Sequence, residues 1–408
     1  MRILALNCGS SSLKFQLFEL EMKDGGITDE RALARGDIER IGRDDAACRF
    51  SRIGGVEFSA VRAEKNHRDA VHTVLDWLRE QEGLLQQGAP AVDMIGHRFV
   101  HGGERFREAT PIVAELLPEF ERLNRLAPLH NPHNLAGYHA AFQEFPGARH
   151  VAVFDTAFHR TIPPRAYFYG TPYAYYEKHG VRRYGFHGSS YQYIAERLPQ
   201  LIERPPETIH AIAAHLGNGC STCAIAGGRS MDSSMGFTPL EGLIMGTRCG
   251  DIDPALPLRL MEYESLSIEE MDRVLNKESG LLGISGVSHD LREVLARQAD
   301  DPRARLAIDV FCWRIQKSIA SFMPALDWRL DALVFTGGIG EKAQEIRARV
   351  VNGMRGLGAM LDAERNALAC GDCETWITAE DSSIAAYVIP ANEELIIARE
   401  TARALTQF

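Results

Sequence analysis

Two stretches about 210 residues apart are built alike, and this repetition constrains the fold more than any other feature. Residues 3–20, ILALNCGSSSLKFQLFEL, read as an apolar strand, a Gly/Ser tip and a second strand of mixed apolar and polar residues. Residues 210–230, HAIAAHLGNGCSTCAIAGGRS, repeat the scheme around Gly217, Asn218, Gly219, Cys220, Ser221 and Thr222. Two such units imply a duplicated domain. Length agrees: 408 residues exceed what one core supports, since single cores stop growing near ~250 to 300 residues.

Helical spacing of apolar residues follows the first hairpin around Arg68 to Arg79, Pro118 to Leu126 and Asn134 to Glu144. A buried-strand pattern, HVAVFDTAFH, then leads into Asp155. In the second half, DALVFTGGIGEKAQEIRARV reads as a strand (Ala332 to Phe335), a Gly-rich turn and an amphipathic helix, the form of an α/β nucleotide-cradling loop. The end of the chain, IAAYVIPANEELIIARETARAL, reads as a strand, a turn marked by Pro390 and a terminal helix capped near Asn392. These elements predict an α/β architecture with mixed sheets.

Charge limits the partners. With 45 Lys plus Arg against 55 Asp plus Glu, the net charge is 45 − 55 = −10, without the basic footprint that nucleic acid or an anionic membrane requires. Any anion must be met by a local cluster of Arg, His and main-chain N–H groups. The amino-terminal apolar run is too short for a signal-peptide core, and no run approaches the ~18 residues of a membrane-spanning helix, so a cytoplasmic protein is expected. Of the eight Cys, Cys220/Cys223 and Cys370/Cys373 form C-x-x-C pairs. They lie 150 positions apart with no His at finger spacing, which favours plain thiols over a zinc site.

Several residues can carry chemistry, each with a plainer reading beside it. The tip bearing Asn7, Ser10, Ser12 and Lys14 can cradle phosphate oxygens or be an ordinary β-turn. The loop with Gly337, Gly338 and Gly340 is a third such segment, and none of the three matches the Walker A pattern. Cations recur among glycines and prolines: His97, Arg98 and His101 in GHRFVHGGERF, His130 and His133 in LHNPHN, His187 in RRYGFHGSS and Arg248 in LIMGTRCGDIDP. Arg98, His187 and Arg248 together meet the demand for a local anion site, with Arg suited to bidentate pairing. Asp155, Glu393 and Asn7 offer hard oxygen atoms for Mg²⁺, or else an Asx-turn and a helix first-turn carboxylate.

The strings NCGSSSLK (7–14), GHRFVHGGERF (96–106), FDTAFH (154–159), RRYGFHGSS (182–190), HLGNG (215–219), GLIMGTRCGDIDP (242–254), GGIGE (337–341) and NEE (392–394) together resemble the acetate kinase family, collinearly and over essentially the whole chain. The resemblance implies two duplicated actin-like (ribonuclease H-like) α/β domains around a central nucleotide and substrate cleft. The first would be residues 1–155 plus about 394–408, and the second about 156–393, with the nucleotide site and the contacts of a homodimer. It implies reversible phosphoryl transfer from ATP to acetate with Mg²⁺, for which Mn²⁺ can substitute. Position by position, it assigns Asp155, His187 and Arg248 to catalysis, Arg98 to substrate, and Val100, Leu129, Phe186 and Pro239 to the acetate methyl. Asn7 and Glu393 would serve the metal. Lys14, His215, Leu216, Gly217, Asn218 and Gly219 would lie along the phosphates. Asp290, Leu291, Arg292, Gly338, Ile339, Gly340, Glu341 and Lys342 would line the adenosine. Two positions depart from the family pattern: Ser233 stands for Thr in the Asp-Thr-Ser-Met-Gly string, and Lys342 for a frequent Asn.

Two other functions compete. One is a propionate or other short-chain acyl kinase, set apart by acyl length at Val100. The other is an ATP-gated, actin- or chaperone-like binding protein, which would not need Arg98, His187 and Arg248 together.

Overall fold

In a computed structural model the chain forms two compact units, Met1–Phe158 with Asn392–Phe408, and His159–Ala391. The structure describes residues 1–408 except 10, 86–90, 129, 372 and 408, and the side chains of 406 and 407. Leu129 and Ser10 thus lie outside the described residues.

The first unit is organised on β1 (Arg2–Cys8), which pairs antiparallel with β2 (Ser12–Lys23) as the hairpin pattern predicted. Beyond β2 come β3 (Gly26–Glu39), β4 (Arg43–Arg52) and β5 (Glu57–Glu64), three strands the sequence pattern did not announce. On the other side β1 runs parallel to β6 (Met94–Phe99), which runs parallel to β8 (Arg149–Phe154), with the short β7 (Thr110–Pro111) antiparallel at the edge. β1, β6 and β8 are almost wholly buried, as parallel strands covered on both faces must be.

Two helices cover one face. His67–Glu80 is capped by the Asn66 side chain, whose Oδ1 accepts from the N–H groups of Arg68 and Asp69, and Asn131–Glu144 packs beside it. The terminal helix Glu393–Arg403 returns to pack on β1 and β6. It approaches closely because residue 96 is Gly: a Cβ there would strike Thr401 and Ile397. Asn392 occupies the cap position as predicted, but its side chain makes no capping bond.

The second unit repeats this topology. β9 (His210–Leu216) pairs antiparallel with β10 (Cys220–Ala226), and β11 (Arg229–Ser233) continues the hairpin. β9 is parallel to β12 (Ala332–Thr336), then comes β14 (Ala385–Val388), with β13 (Thr375–Trp376) antiparallel at the edge. The order β11-β10-β9-β12-β14-β13 has the same connectivity and strand directions as β3-β2-β1-β6-β8-β7. The 20-residue helix Pro302–Ser321, capped by Asp301, lays Ala304, Ala307, Ile308, Phe311, Cys312, Ile315 and Ile319 into the core at three- and four-residue spacing. No helix among the described residues is long and apolar enough to cross a membrane.

The expected Gly-rich turn after β12 is itself helical: Gly337–Lys342 forms a short helix, followed by Gln344–Gly353. Gly337 makes this possible, with φ at +74° and its Cα against β9. A Cβ there would meet the Leu216 carbonyl oxygen at 2.8 Å, so only Gly lets the chain turn from strand to helix at this point.

Two buried histidines in the first unit make its stability pH-dependent. His150 Nε2–H donates to the Phe145 carbonyl at 3.2 Å, so its Nδ1 accepts from His97 Nε2–H at 2.9 Å. Burial lowers the His150 pKa to about 4, against the opposing pull of that carbonyl bond, and lowers His97 well below its ordinary value. A folded-state pKa below the unfolded ~6.5 means the unfolded chain takes up the proton first. The stabilisation is therefore complete above pH ~6.5 and is lost as pH falls toward ~4, by roughly 3 kcal/mol for His150 alone. Denaturant unfolding should show this fall, and the double variant His97→Leu/His150→Leu should flatten it. Equal slopes in both proteins would refute the assignment.

Candidate active site

Three carboxyl-end positions of parallel strands converge in the first unit. Asn7 on β1, Arg98 on β6 and Asp155 just past β8 are neighbours because the register sets Leu6 beside His97 and Phe99 beside Phe154. Arg98 grips Asp155 through Nε (3.0 and 3.1 Å) and Nη2 (2.5 Å), and donates from Nη1 to Asn7 Oδ1 at 2.8 Å. Burial alone would weaken the guanidinium, but Asp155 and then Glu393 outweigh it and hold its pKa above the ordinary arginine value. A guanidinium has five N–H donors, and these bonds use three, leaving 5 − 3 = 2 with no partner among the described residues.

The terminal helix brings its first two residues to the same place. Asn7 Nδ2 donates to Glu393 and to Glu394, each at 3.2 Å. Lys14 belongs here too: burial opposes its charge, but Glu394 and Glu393 raise its pKa above the ordinary lysine value. Sequence reasoning passed over Glu394, although the string NEE displayed it. Among the described residues, no three His, Cys, Asp or Glu side chains are grouped to hold a metal unaided. The oxygens of Glu393, Asp155 and Asn7 instead suit Mg²⁺, which takes one or two carboxylates and completes its shell with water and phosphate. Val100 is buried just past β6, its N–H donating to Asn134 Oδ1 at 3.1 Å.

In the second unit the turn from β9 to β10 is the focus. A Cβ on Gly219 would lie 3.5 Å from Arg248 Nη1 and 3.6 Å from His187 Nε2, so cation and imidazole approach one stretch of bare backbone. His187 precedes the helix Gly188–Leu201 in a left-handed conformation (φ 57°, ψ 28°), uncommon for a side chain and a frequent mark of functional sites. Its ring stacks on His215 with centroids 4.2 Å apart.

Arg248 donates to the Pro239 carbonyl at 3.1 Å and has no carboxylate partner among the described residues. Burial accordingly lowers its pKa. Phe186 is buried, and its carbonyl bonds His159 Nε2 at 2.9 Å. The methyl-pocket candidates are thus Val100 in the first unit and Phe186 and Pro239 in the second.

The nucleotide candidates surround this turn. The start of the helix Gly337–Lys342 lies against Leu216, while Gly338 is open on its Cβ side. Gly246 donates to the Asn218 carbonyl at 3.3 Å, and a Cβ on it would also lie 3.0 Å from the His289 carbonyl, next to Asp290. Asp290 caps the helix Leu291–Arg297 and is bound by the exposed Arg292, while Leu291 is buried. Ile339 is half-buried, Gly340 buried and Lys342 exposed. Glu341 accepts the Ala391 main-chain N–H at 2.9 Å.

The model of the acetokinase family matches residues 2–399. The chain belongs to that family. It is 46% identical over 404 residues to the acetate kinase of Halothermothrix orenii, covering 99% of each chain. Among solved structures, it matches Porphyromonas gingivalis acetate kinase at 39% identity and a TM-score of 0.86, covering 98% of each chain. A propionate kinase from Francisella tularensis matches at 40% and 0.87, again over 98% of each. The fold is therefore the actin-like α/β fold of acetate and propionate kinases.

One residue of the family chain that sequence reasoning missed is Arg347, fully buried beside the Gly-rich segment. It faces carbonyls, donating to Gly340 (3.0 Å), Glu341 (2.7 Å), Asn366 and Ala369 (both 2.8 Å), and its Nε bonds Asn366 Oδ1. Burial pulls its pKa down to about 10. The signal was an Arg on the apolar face of the Gln344–Gly353 helix, next to Ile346 and flanked by Val350 and Val351. Arg347→Met should cost at least ~3 kcal/mol, because several buried carbonyls lose their donor at ~1 to 3 kcal/mol each. Urea unfolding checks this, and a loss below ~1 kcal/mol would refute the clamp.

Proposed function

We propose that this protein catalyses reversible phosphoryl transfer from ATP to acetate in the cytoplasm, giving acetyl phosphate and ADP. The observation that carries this reading is Arg248, a largely desolvated cation without a carboxylate partner among the described residues, set with His187 Nε2 against Gly219. A permanent cation in that state is a site for an anion. Acetate is ionised at neutral pH, so its oxygen can attack the γ-phosphorus without a general base. A carboxylate O–P bond forms as the bond from phosphorus to the β,γ-bridging oxygen breaks, and ADP leaves with the electron pair.

Arg98, locked by Asp155, would orient the acetate carboxylate with its two remaining N–H groups. Arg248 and His187 would bind oxygens of the phosphoryl group in flight. Val100, Leu129, Phe186 and Pro239 would bound the acyl methyl. Lys14 and His215 to Gly219 would serve the phosphates, and Asp290 to Arg292 with Gly338 to Lys342 the adenosine. Glu393 and Asn7, with Asp155, would hold Mg²⁺, which when bound neutralises phosphate charge. Exposed Tyr173, Tyr175, Trp313 and Trp328 in the second unit support a homodimer. Light scattering during gel filtration tests that state.

The 40% identity to a propionate kinase keeps propionate as a second reading. Hydroxylamine trapping of acyl phosphate, with ATP, Mg²⁺ and acetate, propionate or butyrate, decides between them by kcat/KM. Acetate should lead, though one methylene is worth only ~1 to 3 kcal/mol of discrimination. No trapped product from folded protein would overturn the proposal. Arg248→Ala should lower kcat at least ~10²-fold, the scale of losing one preorganised donor. A folded variant at near-normal kcat would remove Arg248 from the reaction.

A further inference from the structure

Behind His187, away from the nitrogen that approaches Gly219, stands a short chain of hydroxyl groups. Ser221 Oγ on β10 lies 2.8 Å from His187 Nδ1, and Tyr191 Oη lies 2.5 Å from the same Ser221 oxygen. Ser221 and Tyr191 are both fully buried. The arrangement follows from local structure: Tyr191 sits one turn into the helix that His187 precedes, and Ser221 lies opposite His215 in the β9–β10 hairpin.

Counting hydrogens fixes the direction of this chain. Tyr191 and Ser221 each own one hydroxyl hydrogen, and burial keeps the phenol protonated by raising its pKa well above the ordinary value. Among the described residues the side-chain partner of the Tyr191 hydroxyl is Ser221, and Ser221 Oγ has Tyr191 and His187. If Nδ1 carried a proton and gave it to Ser221, one of the two hydroxyl hydrogens would be left buried and unpaired. A buried donor left without an acceptor is costly, because it has given up its bond to water for nothing. Both hydrogens are used only when Tyr191 donates to Ser221 and Ser221 donates to Nδ1.

The geometry points to Ser221 and Tyr191 as positioning residues that hold His187 as the neutral tautomer with its proton on Nε2, the nitrogen beside Gly219 and Arg248. His187 is then a hydrogen-bond donor to a phosphoryl oxygen and not a second full cation beside Arg248. The stacked His215 ring, itself bonded through Nδ1 to Ser190 Oγ at 2.9 Å, adds a further reason for neutrality, since two stacked imidazolium ions would repel. The catalytic consequence rests on the proposed role of His187 in phosphoryl transfer. The tautomer does not.

The test is proton-detected ¹⁵N NMR of the full-length protein labelled at histidine, with the His187 signals assigned by their loss in His187→Asn. A protonated Nε2 and bare Nδ1 at neutral pH are expected without any substrate. A proton on Nδ1 would overturn the assignment whether or not the Ser221 variants fold. In Ser221→Ala the tautomer preference should weaken and kcat should fall about tenfold or more, the scale of losing an orienting partner, with the KM values for ATP and acetate much less affected. Ser221→Thr, which keeps the hydroxyl, should restore both. A folded Ser221→Ala protein with wild-type tautomer and kcat would also sink the idea. If His187→Asn still makes acyl phosphate at the wild-type rate, the role of His187 fails while the NMR still decides the tautomer.

Discussion

A guanidinium taken out of water must find either a counter-charge or enough oxygen atoms, and the chain meets that constraint in three ways. Arg98 is answered by Asp155, an ion pair at the ends of β6 and β8. Arg347 is answered by carbonyls, so its cost of burial is turned into a clamp on the Gly337–Lys342 helix. Arg248 is answered by little more than the Pro239 carbonyl. The first has its charge neutralised and the second has all five donors filled, whereas the third has charge to spare. Losing one partner of a complete pair is costly because it strands the other. An incomplete site instead gains when an anion arrives.

Much of this was legible in the chain because it is local. The hairpins around Gly9 and Gly219, the His67–Glu80 helix and the apolar runs within β8 and β12 follow from patterns within a dozen residues. Each motif also brought its chemistry to a strand end or a turn. β3, β4 and β5 are faint in the sequence because few of their residues are buried, and β5 is exposed along almost its whole length, so little apolar alternation remains to mark them. The Gly-rich segment after β12 was misread as a turn because glycine usually breaks helices. Here the tertiary contact of Gly337 with Leu216 overrides that preference.

The site residues missed from sequence share a different cause. Arg347, Ser221 and Tyr191 acquire meaning only from what they face, and those partners are up to 34 residues away. A serine in a strand beside cysteines and threonines looks like any other polar residue in an alternating pattern. A tyrosine in an amphipathic helix looks like packing. Polar chains of this kind run across elements, so no spacing rule within one element can reveal them.

The matching strand orders of the two units have a consequence for how such a molecule can change. In each, the third and fourth strands of the shared pattern are separated by the long departure from the common plan. The first unit uses it for β4, β5 and the His67–Glu80 helix. The second uses residues 234–331 for helices and for the loop that carries Pro239 and Arg248. This junction is permissive, because chain added there leaves the shared strand order untouched. In one unit it carries an arginine-bearing loop, and in the other it widens the sheet.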